Sequence, residues 1–359
     1  MPTNDPELIR RIRCSIPEIH DASVVRPVRP CRIEPPRPKF LPHAYIVSGS
    51  QDKLNPTTMK DANPFSALYG DGTFVYVIDD GIMKSHPEFA GRKIQLIDCT
   101  KGINHPLQFS HGTGVASLIC GKKLGVARST TLIDVRLPLQ DNNAFCDDVI
   151  VNALKQIRQD VKERGRQNRT VVNMSFGQIV NTREKETEIE ETIRKMHNEG
   201  IAFVAAAGNI KTEDNYFKAS QFSPARMDIV CTVGSVSLNG TVNSRSRRSK
   251  HRLHKTDYCN SGIPLQESYF SNRGDCVDIF APGENICTAA MGGGYQLEKG
   301  TSFAAPLITG VQLCILSRAS SKKVVTPEDL QNMTIDLADK GTVGLCNRHT
   351  RMLKYVNGN

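Results

Sequence analysis

From about residue 65 onward the chain alternates between two spacings of apolar positions. Short runs rich in β-branched residues read as strands buried on both faces: TFVYVI at 73–78, TLIDVRL at 131–137, TVVNM at 170–174, IAFVA at 201–205, IVCTV at 229–233 and VDIF at 277–280. Between them the spacing lengthens to that of a helix. Residues 147–163 set Val149, Ile150, Ala153, Leu154, Ile157 and Val161 on one face, with Asp147 and Asp148 as cap-type acids and Gly165 as the stop. Residues 184–198 gather Ile189, Ile193 and Met196 and end at Gly200. A third helix is expected at 115–119, and an apolar one enters from the glycine turn at residue 300. Strand–helix–strand alternation predicts a three-layer α/β/α domain around a central, mostly parallel sheet. In that architecture reactive groups cluster outside the carboxyl ends of the strands.

The first 64 residues break this rhythm. Residues 1–42 hold nine of the 19 prolines, which removes N–H donors and fixes φ, so an extended, basic arm is expected before a catalytic domain at 65–359. The formal charge of +9 is just as localised. Residues 1–42 contribute +3, residues 241–256 (TVNSRSRRSKHRLHKT) contribute +6, and the rest sums to zero. The basic segment reads as a solvated surface insertion at about 241–265 rather than a nucleic-acid site. No apolar run approaches the length of a membrane span, and the first twenty residues lack a secretory leader's apolar core, so the expectation is an intracellular protein or a secreted precursor whose start is missing here, the former favoured. The 11 cysteines show no zinc spacing and are an odd number. They are expected mostly as reduced thiols, with Cys120 and Cys314 as small core residues.

Four segments then carry chemistry. FVYVIDDGI, 74–82, is a buried strand ending in acids, with Asp79 at its carboxyl end and Gly81 permitting a sharp turn. SHGTGVASLICG, 110–121, puts His111 before a small-residue turn and a helix. GTSFAAPLITGVQLCIL, 300–316, puts Ser302 where a glycine turn enters a helix, whose first N–H groups suit a developing oxyanion. AFVAAAGN, 202–209, runs a strand into Gly208 and Asn209. A serine hydroxyl needs a base, histidine titrates nearest neutrality, and the histidine needs an acceptor to hold its tautomer. Asp, His and Ser occur here in that chain order, and an amide such as that of Asn209 can donate to an oxyanion without bringing a charge.

At these residues the sequence resembles the subtilisin-like serine peptidases, in particular their proteinase K-like branch. VIDDGI looks like the family's aspartate motif, HGTGVAS its histidine motif and GTSFAAP its serine motif, with VVNMSFG and AAAGN between them in the expected order. The resemblance covers roughly residues 70–357. It implies that Asp79 orients His111, that His111 is general base and then general acid, and that Ser302 is the nucleophile. The Asn209 side chain and the Ser302 N–H would stabilise the oxyanion. Ser175, Phe176 and Gly177 would pair with substrate backbone as an added strand, and Ala205, Ala206, Ala207 and Gly208 would line the primary specificity pocket. Gly114, Phe303 and Ala305 depart from the commoner residues without removing a reacting group. The 121–128 loop is short and lacks the insertion that forms the strongest calcium site of many members. A second kind of calcium site is implied instead, from the Asp278 carboxylate with the carbonyls of Asp228 and Val230.

The resemblance thus implies an endopeptidase that cuts peptide bonds through an acyl-enzyme, with no cofactor in the chemistry and a structural calcium at most. Proteins or peptides would be its substrates, and a monomer without membrane or nucleic-acid partners is expected. Two other readings stay open: a ligase or cyclase on the same fold, and a catalytically silent peptide-binding protein. The Pro-rich arm is short for a compact prodomain and is expected to block the groove as an extended segment.

Overall fold

The computed structural model describes residues 69–100, 110–140, 144–180, 186–210, 217–237, 266–319, 324–340 and 351–353. The Pro-rich arm and the basic insertion expected from the sequence lie outside the described residues.

The apolar runs become strands because their alternate side chains are buried on opposite faces. In β1 (Phe74–Asp79), Val75 and Val77 pack into one apolar cluster and Tyr76 and Ile78 into another. Beside it lie β2 (Ile94–Asp98), β3 (Thr131–Arg136), β4 (Thr170–Met174) and β6 (Ile201–Ala206). Then come β8 (Cys231–Ser237), β10 (Ile279–Pro282) and β14 (Arg351–Leu353). The sheet runs in the order β13-β14-β10-β8-β6-β4-β1-β3-β2. All of these strands are parallel except β13 (Ala338–Lys340), while β9 (Gln266–Glu267) adds antiparallel to β8. Two small antiparallel pairs stand apart: β5 (Gln178–Ile179) with β7 (Phe222–Ser223), and β11 (Ile286–Ala289) with β12 (Tyr295–Glu298).

Helices cover both faces. On one side α1 (His111–Cys120), α4 (Thr301–Arg318) and α5 (Pro327–Asp336) join the cluster containing Val75, Val77, Val204 and Val233. On the other, α2 (Asp147–Glu163) and α3 (Glu188–Asn198) bury Leu154, Ile157, Ile193 and Met196 against Tyr76, Val172 and Phe203. The expected three-layer α/β/α arrangement is therefore present. Cys120 and Cys314 are fully buried, as their apolar surroundings implied.

Element ends differ from the sequence reading for local reasons. The helix expected from 184 starts at Glu188, because Thr187 and Glu190 form a reciprocal capping box. The strand expected at 229–233 starts at Cys231, because Val230 N–H closes a turn onto the Met227 carbonyl. Likewise Val277 N–H turns back onto Gly274, so that β10 begins at Ile279. The helix expected at 115–119 is longer and takes His111 as its first residue.

β1 is followed in the chain by β2 on one side of it, whereas β4 is followed by β6 on the other. The order thus reverses between β1 and β4, and a crevice outside their carboxyl ends is where such sheets bind ligands.

Candidate active site

The four residues chosen for chemistry, Asp79, His111, Asn209 and Ser302, sit at that end of the sheet, whereas the expected calcium donors Asp228, Val230 and Asp278 precede β8 and β10 at the opposite end. Asp79 is the last residue of β1 and is buried. His111 opens α1, and its Nδ1 lies 2.9 Å from Asp79 Oδ2 and 3.0 Å from Oδ1. A carboxylate can only accept, so Nδ1 donates, and in the neutral ring the lone pair is left on Nε2. That nitrogen is buried in the site.

Ser302 is the second residue of α4, after the N-cap Gly300 and Thr301. Its side chain is 2% exposed, and its Oγ has no hydrogen-bond partner among the described residues. A buried hydroxyl left unpartnered is costly and calls for an explanation. The surrounding turn is built to hold it. Gly300 has φ +146°, and a Cβ there would lie 2.9 Å from Ser302 Oγ and 3.4 Å from Asn209 Nδ2. The bare Cα of Gly300 therefore keeps open one small volume bordered by both atoms.

Asn209 follows β6 and is aimed by Thr301. Its Oδ1 accepts from Thr301 N–H at 2.8 Å and from Thr301 Oγ1 at 2.9 Å. Thr301 Oγ1 in turn accepts from Gly208 N–H. With the oxygen so held, the amide NH2 is the end presented to the open volume. Asn272, fully buried, braces the same loop: its Nδ2 donates to Ala207 O and its Oδ1 accepts from Ile210 N–H.

Ser175 has a role that the sequence reading did not give it. Pro306 lies inside α4 and has no N–H, so the carbonyl four residues earlier, that of Ser302, lacks its helical donor. Ser175 Oγ supplies one at 2.8 Å. Asn173 Nδ2 donates to Ser175 Oγ, and Thr309 Oγ1 donates to Asn173 Oδ1, so a polar chain ties β4 to α4 beneath the Ser302 peptide. Phe176 is buried edge-on against Phe145. Ala205, Ala206 and Ala207 are buried at the end of β6. The ring of Phe222 lies between the two loops: a Cβ on Gly177 would fall 2.4 Å from Phe222 Cε1, and one on Gly208 3.0 Å from it.

The two departures near His111 compensate each other. The Phe303 ring packs 5.2 Å from the imidazole, and a Cβ on Gly114 would fall 3.3 Å from Phe303 Cε1. The larger aromatic thus occupies the space that glycine leaves. The short loop after α1 is drawn down by Glu88, a buried acid absent from the sequence reading. Its Oε2 accepts from the N–H groups of Lys123 and Leu124, and its Oε1 from Tyr295 OH. Asp80, next to Asp79, was also passed over; its carboxylate caps the start of α1.

The expected calcium donors already carry hydrogen bonds. Asp278 Oδ2 accepts from Thr232 N–H at 2.8 Å, Asp228 O from Gln331 Nε2 at 3.2 Å, and Val230 O weakly from Thr232 Oγ1 at 3.5 Å. One carboxylate and two carbonyls are oxygen donors of the right type, and calcium's six to eight ligands would need water for the remainder.

The chain's similarities agree with this geometry. The family model described as Peptidase_S8, Subtilase family, matches residues 70–352. The chain is 33% identical over 264 residues to an alkaline proteinase of Hapsidospora chrysogena, covering 71% of this chain and 56% of that protein. It is 32% identical over 274 residues to a cuticle-degrading protease of Metarhizium anisopliae, covering 76% and 60%. The matched part is therefore about six tenths of the length of these curated relatives. Among solved structures, a cold adapted subtilisin-like serine proteinase superposes with a TM-score of 0.62 at 27% identity, covering 84% of this chain and 94% of that one. With the family model spanning nearly all of the described sheet and the motif residues meeting at its carboxyl edge, the chain belongs to the subtilase family.

Proposed function

We propose that this chain is a serine endopeptidase acting on proteins or peptides through an acyl-enzyme. The observation that carries the reading is the bond of His111 Nδ1 to both Asp79 oxygens, with a buried Ser302 Oγ that has no hydrogen-bond partner among the described residues and borders, with Asn209 Nδ2, the volume kept open by Gly300. In this reading His111 Nε2 takes the Ser302 proton as Oγ attacks the scissile carbonyl, and Asp79 stabilises the imidazolium. The oxyanion forms in the volume kept open by Gly300. It receives hydrogen bonds from Asn209 Nδ2 and from the Ser302 N–H, one of the donors left unsatisfied at a helix start. His111 then protonates the leaving amine, and water repeats the sequence on the acyl-enzyme. No cofactor enters these steps; a calcium ion at Asp278, Asp228 O and Val230 O would act on stability alone.

Ser175–Gly177 and Ala205–Gly208 border the groove in which an extended substrate would lie. With the Phe222 ring filling the space between Gly177 and Gly208, the pocket for the residue before the scissile bond is shallow and favours small side chains. Digestion of a denatured protein by the wild type but not by Ser302→Ala, with product masses showing water added at each cut, is the expected result. Products joined with loss of water would point to a ligase, and binding of extended peptides without turnover to the silent reading.

A further inference from the structure

The end of β1 carries a second buried acid that the proton relay does not use. Asp80 is 3% exposed. Its Oδ2 accepts from the N–H groups of Ser110 at 3.0 Å and His111 at 3.1 Å, and its Oδ1 from Gly112 N–H at 2.7 Å. These are consecutive donors at the start of α1, where a helix leaves its first N–H groups without partners. The N-cap residue Ser110 makes no side-chain capping bond, so the cap comes from a different element of the fold. Asp80 also donates its own N–H to Asp79 Oδ1 at 2.8 Å, which ties the two acids together. Gly112 lets the turn come this close: a Cβ there would fall 2.5 Å from Gly81 O and 3.0 Å from Asp80 Oδ1.

We propose that Asp80 is a positioning residue, whose carboxylate clamps the first turn of α1 onto the end of β1 and so holds the His111 imidazole against Asp79. The inference rests on His111 being the general base. The clamp acts in two ways. It fixes the backbone from which the imidazole projects, and misplacement of a reacting group by about 1 Å can cost about 10²-fold in rate. It also places a second carboxylate beside the histidine. The titratable groups facing Asp80 are Asp79 from β1 and His111 from α1. The first turn of α4 facing His111 (Thr301, Ser302, Phe303) brings no charge. Burial and the Asp79 charge push Asp80 up to about 7, while His111 and the backbone N–H groups pull it down. Once ionised, Asp80 favours the imidazolium that forms when His111 accepts the serine proton.

The test titrates the His111 imidazole by NMR in the Ser302→Ala protein, with and without Asp80→Asn. Asparagine keeps the shape, removes the charge and turns one acceptor into a donor facing backbone N–H groups. The expected result is a His111 midpoint lowered by about one pH unit. In the Ser302 background, kcat should fall about 10–100-fold with KM within about twofold, and the acid limb of kcat/KM should move the same way. Asp80→Ala should lose more kcat than Asp80→Asn. An unchanged titration, or a loss of kcat matched by loss of folded protein, would overturn the assignment. The titration needs no turnover, so it holds apart from the endopeptidase reading, whose own failure would appear as a wild-type protein that cuts nothing.

Discussion

Replacing Ser175 by alanine isolates one consequence of the fold. The substitution removes the donor to the Ser302 carbonyl, which Pro306 cannot serve, and also the acceptor of Asn173 Nδ2. Both groups are buried between β4 and α4. A buried polar group stripped of its partner costs about 1–3 kcal/mol, so the pair should cost about 2–6 kcal/mol. For a domain of this size each kcal/mol lowers Tm by roughly 2–4 °C, giving a fall of about 4–24 °C. Pro306→Ala returns an N–H four residues after Ser302. In that background Ser175→Ala should cost about 1–2 kcal/mol less than in the parent. Denaturant unfolding of the four proteins, all carrying Ser302→Ala to prevent self-digestion, measures the coupling. Additivity within about 0.3 kcal/mol, or a Ser175→Ala loss below about 0.5 kcal/mol, would refute the claim that the serine stands in for the missing helical donor.

Gly300→Ala should abolish most turnover, by about 10²–10³-fold, because its Cβ enters the volume shared by Ser302 Oγ and Asn209 Nδ2; steady-state kinetics check this, and near-normal kcat would contradict it. It should also lower stability by about 1–3 kcal/mol, since φ +146° suits only glycine. Phe222→Ala should raise kcat/KM for peptides with a large residue before the scissile bond by about tenfold or more relative to alanine there, read from a peptide series in which an unchanged ratio counts against a shallow pocket. Chelation with EGTA should lower Tm, added calcium should restore it, and Asp278→Ala should be indifferent to both; a wild-type Tm insensitive to EGTA would remove calcium from the account.

Much of the candidate site was legible because each side chain proposed to react lies at a signal that sequence carries. Asp79 ends a run of buried β-branched residues, His111 precedes a run of small residues that enters a helix, and Ser302 follows a glycine turn into another. What was not legible depends on partners far apart in the chain. The missing N–H of Pro306 is visible in the sequence, but its substitute lies in another element, at Ser175, which the family resemblance assigned only to substrate backbone. Asp80 reads as one more turn acid until α1 is seen seated on it. Glu88 looks like a surface residue of a polar stretch, yet it is buried because a loop some 35 residues later brings its N–H groups to it. β2 and the β11–β12 pair escaped because IQLID, ICTA and YQLE mix polar and apolar positions over too few residues to show a period. α5 was missed as well, although its start carries a readable signal, the capping box of Thr326 with Asp329 and a proline in the first turn.

The central claim is that Ser302 is a nucleophile activated by His111. It is tested most directly by labelling the purified protein with a fluorophosphonate probe, beside Ser302→Ala and His111→Ala. The account predicts one covalent label per folded wild-type molecule, none on Ser302→Ala, and a rate lowered by about 10³-fold or more on His111→Ala. A folded wild-type protein that takes up no label, or a label that survives Ser302→Ala, would contradict it.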